Sequence, residues 1–123
     1  MSFATVVAVS VAGGVGAMLR YLTGAAVPAR FQQRFPWGIV VVNLVGAFLI
    51  GLVTGFSSTW LSQDWSVILA SGLLGGYTTF STASLDTVRL VQQQRYVSAM
   101  LHGLGVLAGC LVLGFGGFLL ASQ

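Results

Sequence analysis

The polar side chains that could carry chemistry inside otherwise apolar stretches occur in two places. Asn43 lies alone among valines and leucines, whereas Thr78, Thr79, Ser81, Thr82 and Ser84 crowd into seven positions directly after Gly75-Gly76. Amides and hydroxyls offer hydrogen bonds rather than covalent chemistry. No carboxylate lies at depth beside them to balance a cation, since Asp86 falls near the end of its apolar stretch. Arg20 adds positive potential at the end of the first stretch, and phenylalanine ring edges are electropositive. Together these groups suit a small anion that accepts strong hydrogen bonds. A lone Asn can equally serve as an interhelical tie worth about 1 kcal/mol. Five hydroxyls after a glycine pair are harder to account for as ties to their own helix.

The surroundings set the terms for that chemistry. The chain has 123 residues, 56% hydrophobic and 6% charged, with a mean hydropathy of +0.94; a soluble domain carries about a quarter charged residues. It reads as a membrane protein. An octet from Gly75 to Thr82 interrupts what ought to be an unbroken span, and freed backbone groups in lipid cost several kcal/mol each unless satisfied. Irregular backbone survives at that depth where protein buries it or where it lines a cavity. Nothing supports catalysis: His102 has no carboxylate or cysteine near it in sequence, and the two aspartates are far apart. The chain is expected not to be an enzyme. Cys110 is the sole cysteine and reads as a small packing residue.

A crossing needs roughly 20 apolar residues. Four stretches qualify, about Phe3–Ala26, Trp37–Trp60, Trp65–Val91 and Val97–Ala121, which predicts one all-α domain over 1–123 with four transmembrane helices and a break in the third. The N-terminal stretch lacks the basic start of a cleaved signal peptide. Trp37, Trp60, Trp65 and Tyr96 fall at span ends, as interfacial aromatics do. Gly51 and Gly55, Gly105 and Gly109, and Gly13, Ala17 and Gly46 put small residues on helix faces, where close packing drives association in lipid. Four short helices have little interior for polar groups, so a site here calls for a second subunit.

The five arginines are unevenly placed. Arg30 and Arg34 lie in the first connection, Arg89 and Arg95 around the third, and Arg20 near the end of the first span. Positive charge stays on the cytoplasmic side, which predicts both termini outside. Anionic lipid headgroups account for the basic balance better than nucleic acid, and no nucleic-acid partner is expected.

Three motifs carry a resemblance across nearly the whole chain. Gly13-Gly14-Val15-Gly16-Ala17-Met18-Leu19-Arg20-Tyr21, then Pro36-Trp37-Gly38 with Val42-Asn43-Leu44-Val45-Gly46, then Gly75-Gly76-Tyr77-Thr78-Thr79-Phe80-Ser81-Thr82 occur in the order and spacing of the fluoride channel family (Fluc, or CrcB). The resemblance implies an antiparallel dimer of four-span subunits in the cell inner membrane or plasma membrane, exporting fluoride passively. By match to the motifs, Asn43 would be the pore amide and Phe80 a pore phenylalanine. Ser81 and Thr82 would lie on or near a polar track, and Arg20 in a vestibule. A structural sodium ion at the dimer centre would be held by the backbone carbonyls of Gly75 and Thr78.

The sequence also departs from the family pattern. Ala83 replaces a second phenylalanine, Ile39 stands where threonine is usual, and Cys110 and Gly114 occupy positions that often offer serine and threonine. Each change removes a pore-facing group. With the arginine bias, this predicts a subunit of fixed orientation that pairs with an oppositely inserted paralogue, the alternative to self-pairing. A non-conducting assembly subunit is a further alternative. A small multidrug exporter would need a membrane-embedded carboxylate in the first span, which this chain lacks.

Overall fold

The structure, a computed structural model, describes residues 2–32, 35–57 and 61–123. Arg34 and Trp60 lie outside the described residues. Among those described, all regular structure is helical.

Helix α1 (Phe3–Ala26) opens on Ser2, whose hydroxyl accepts the Thr5 amide at 3.2 Å. It closes at Val27, which is extended ahead of Pro28. A single turn, α2 (Ala29–Gln32), leads to α3 (Trp37–Phe56), which starts directly after Pro36. Helix α4 runs over 63–77 with Ser62 as its cap, and widens to an i→i+5 register over Ile68–Leu74. Helix α5 (Phe80–Gln92) and helix α6 (Tyr96–Ala121) follow, the latter widened over Leu101–Gly105.

Three of these, α1, α3 and α6, are long and apolar enough to cross a membrane. Their outward faces agree with lipid contact: Leu104, Leu111, Phe115 and Leu120 of α6 are exposed and apolar. The expected third span is two helices, α4 and α5, separated by a break.

The break does not fall at the glycine pair. Gly75 and Gly76 are helical, and the chain leaves the helix at Thr78 and Thr79, both extended. Proximity explains the glycine at 76, since a Cβ there would strike the carbonyl of Gly13 on α1. Gly16 likewise admits the carbonyl of Leu73. The α1–α4 seam is thus glycine against backbone, a contact no side chain permits.

A second seam joins α3 to α6 more extensively. Gly51 abuts the carbonyl of Gly114, and a Cβ on Gly55 would come within 2.6 Å of Ala121 Cβ. The expected packing face at Gly51 and Gly55 is therefore present. At Gly105 a Cβ would meet nothing within 4 Å, whereas at Gly109 it would lie 2.9 Å from Leu44 Cδ2, so that pair is only half a packing face.

Candidate functional site: a groove at the helix break

Thr79 is the pivot of the site. In an unbroken helix its amide would donate to the Gly75 carbonyl; here it donates to Asn43 Oδ1 at 2.9 Å. Asn43 Nδ2 returns a hydrogen bond to the Thr79 carbonyl at 3.1 Å. The buried amide of α3 thus pairs with both polar groups of one broken-helix residue, as a neighbouring strand would. One Nδ2 hydrogen remains beyond that pairing. One turn on, Gly46 makes room for the Thr78 methyl, which a Cβ would strike. Asn43 and Gly46 share a helix face, one holding the break and the other accommodating it.

Around this brace lies a cavity of about 490 Å³, open on one side. Asn43, Ala47 and Ile50 line it from α3, Thr78 and Thr79 from the break, and Phe80, Ala83, Ser84 and Thr87 from α5. His102, Gly103, Val106, Leu107 and Cys110 close it from α6. Its polar lining is amide, hydroxyl, imidazole and thiol, with no carboxylate. Asp86 of α5 is not among the lining residues and meets Arg89 at 3.5 Å. Among the described residues, no cluster of histidine, cysteine, aspartate and glutamate could hold a metal ion.

The expected site residues divide. Asn43, Thr78 and Phe80 line the groove, Phe80 standing 87% exposed at its rim. Ser81 and Thr82 lie on α5 outside the lining; the Thr82 amide donates to Thr79 Oγ1 at 3.3 Å and so starts α5. Gly75 sits exposed in the last turn of α4, and Arg20 is half-buried on α1, which contributes nothing to the groove. Tyr77 ties these parts together: its hydroxyl donates to Thr23 Oγ1 at 3.0 Å, whose own hydrogen goes to the Leu19 carbonyl.

Two of the four positions that depart from the family pattern, Ala83 and Cys110, line the groove, whereas Ile39 and Gly114 do not. Cys110 does more than fill space, because its thiol donates to the Asn43 carbonyl, Sγ···O 3.4 Å. Thr87 and His102 were not expected in the site. His102 is 1% exposed, with Nδ1 at 2.7 Å from Thr87 Oγ1 and its ring edge-on to Phe35. An ionisable residue inside an apolar run was the available signal, and its lack of sequence neighbours obscured it.

The model of the family described as CrcB-like protein, Camphor Resistance (CrcB), matches residues 7–118. The chain belongs to the CrcB family. It is similar to the fluoride-specific ion channel FluC of Geobacter sulfurreducens, 42% identical over 121 residues that cover 97% of this chain and 98% of that protein. FluC 1 of Leifsonia xyli subsp. xyli is 44% identical over 103 residues, covering 83% of this chain and 75% of its own. FluC of Helicobacter pylori (strain HPAG1) is 37% identical over 111 residues, covering 87% and 85%. The CrcB match spans every residue that lines the groove, from Asn43 on α3 to Cys110 on α6, together with most of α1.

Proposed function

We propose that this CrcB chain is a subunit of a passive, fluoride-selective channel in the membrane, with the ion passing along the groove at Asn43 and Phe80. The observation that carries the proposal is the lining: amide and hydroxyl donors at membrane depth, a phenylalanine at the rim, and no carboxylate. A small anion surrenders its water only where donors replace it. The spare Nδ2 hydrogen of Asn43 and the hydroxyls of Thr79 and Ser84 are such donors. Phe80 can present its electropositive edge. The name that the relatives bear, fluoride-specific ion channel, supports fluoride as the ion. Conduction makes and breaks no covalent bond, so the chain acts as a channel and not as an enzyme.

The groove is open on one side, and an 87% exposed phenylalanine borders it. A second subunit inserted in the opposite sense would cover it, with α4 and α5 together forming the fourth crossing. The arginines favour one orientation, termini outside. Ala83 and Cys110 within the lining favour a partner that supplies what this chain lacks, an oppositely oriented paralogue rather than a second copy.

A structural sodium ion at the centre of such a dimer fits the donor set in kind. Because the Thr79 amide turns to Asn43, the Gly75 carbonyl loses its ordinary helical partner, and Thr78 is extended at the break. Gly75 and Thr78 of two subunits would hold the ion through neutral carbonyl oxygens. Bound there, it would supply positive charge that satisfies broken-helix carbonyls.

The test is fluoride efflux from liposomes holding this chain alone, with chloride as control. Rapid fluoride-selective efflux establishes a self-sufficient channel and removes the need for a paralogue. No efflux from folded protein, restored by adding the oppositely oriented paralogue, supports the half-channel. Efflux absent in both cases overturns the fluoride reading.

A further inference from the structure

Thr87 and His102 line the groove, yet the fluoride reading gives them no part. Thr87 Oγ1 lies 3.0 Å from the Ala83 carbonyl and 2.7 Å from His102 Nδ1. A hydroxyl has one hydrogen, so two arrangements are open. In the first, the hydroxyl donates to Ala83, the ring donates from Nδ1, and Nε2 carries a lone pair. In the second, the hydroxyl donates to Nδ1 and Nε2 carries the hydrogen.

Burial decides between them. His102 Nε2 is sealed from solvent and has no hydrogen-bond partner. The second arrangement strands an N–H donor there, whereas the first uses both available hydrogens and leaves only an acceptor idle. Orphaned buried donors are the rarer of the two defects. The ring therefore holds its hydrogen on Nδ1, facing Thr87.

This has a consequence for the groove. With Nδ1–H donating to its oxygen, the Thr87 hydroxyl hydrogen points away from the ring and is free for an acceptor on the groove side. Its present acceptor, the Ala83 carbonyl, is also the helical partner of the Thr87 amide four residues on, so it can release the hydroxyl hydrogen without being left bare. We propose that Thr87 is a further anion-contacting hydroxyl of the groove, and that His102 is the positioning residue that keeps its hydrogen available to the ion. The identity of the anion rests on the fluoride reading above.

The experiment uses whichever pairing of the chain conducts, and compares fluoride efflux for Thr87→Val and Thr87→Ser with magic-angle NMR in liposomes of the full chain, which alone is labelled with [15N]histidine. One histidine occurs in the chain, so the label reports this ring alone. Thr87→Val is expected to lower fluoride efflux about tenfold or more, the size of one lost hydrogen bond to an ion. Thr87→Ser, which keeps the hydroxyl, should remain within about threefold of wild type. The ring should show the Nδ1–H tautomer, and its Nδ1 signal should shift with fluoride but not with chloride. An Nε2–H tautomer, a fluoride-insensitive ring, wild-type efflux in Thr87→Val, or equal losses in both variants would each overturn the proposal. In all four cases the wild-type protein still conducts, so the fluoride reading stands. If no pairing of the wild-type chain passes fluoride, both fall together. Should Thr87→Val fail to fold, the ring measurements on wild-type protein decide.

Discussion

Two places in this chain abandon regular α-helix beside the same groove, and they do so differently. At Thr78–Thr79 the backbone leaves the helix, and a side chain from α3 takes over both hydrogen bonds of Thr79. At Leu101–Gly105 the helix widens by one residue per turn, and the backbone keeps its partners within α6. The first solution exposes carbonyls and needs an external brace; the second exposes none and reorients a side chain, His102, onto α5. In lipid, where water cannot complete a missing hydrogen bond, these are two workable ways to place non-helical geometry at depth. The braced break depends on one residue of another helix, whereas the widened turn depends on none.

That contrast can be broken at its weak side. Asn43→Ala leaves the Thr79 amide and carbonyl without partners, each costing about 1–3 kcal/mol. Fluoride efflux should be lost, with a large drop in thermal stability measured in detergent. A fall in efflux without a stability change would show that Asn43 serves the ion alone and does not brace the break. Asn43→Asp keeps the acceptor for the Thr79 amide but sets a carboxylate against the Thr79 carbonyl and in the path of the anion, so it should lose efflux as fully as alanine does.

Gly46→Ala tests the accommodating half of the same device. Its Cβ would collide with the Thr78 methyl, an overpacking cost of about 1–3 kcal/mol. Efflux should decline because the break must shift away from Asn43, and wild-type efflux would show that the seam yields elsewhere. Ala83→Phe sharpens the comparison from the groove side. The cavity of about 490 Å³ can take the ring, so the fold should survive, and efflux from chain-alone liposomes should rise if the missing ring limits conduction. An unchanged rate would move the deficit to Cys110 or to the absent partner.

The smallest effect is expected far from the groove. Gln94 has φ 58°, in the left-handed region, where it closes α5 with the Arg95 amide on the Leu90 carbonyl at 2.9 Å. Gln94→Gly relieves about 1 kcal/mol of that conformation and should raise the melting temperature slightly without altering efflux. A lower melting temperature would mean that the glutamine side chain contributes more than its backbone costs.

Hydropathy alone determined the membrane class and the positions of α1, α3 and α6, because a span must be long and apolar whatever its neighbours. The motif residues Asn43, Thr78 and Phe80 were legible for a related reason: amides, hydroxyls and breaks are too costly in lipid to occur without purpose. What the glycines do was not legible. Gly75 and Gly76 read as the break itself, but Gly76 serves contact with Gly13 sixty-odd positions earlier in the chain, and the break follows at Thr78. A glycine that permits close approach and one that interrupts a helix look the same in one dimension. Asn43 presented the same difficulty, since its type shows that it must hydrogen-bond but not that it pairs with Thr79. His102 and Thr87, fifteen residues apart, became a pair only when α6 folded back on α5. Local chemistry sets which groups need partners; the partners come from distant segments, and only the tertiary structure decides which ones meet.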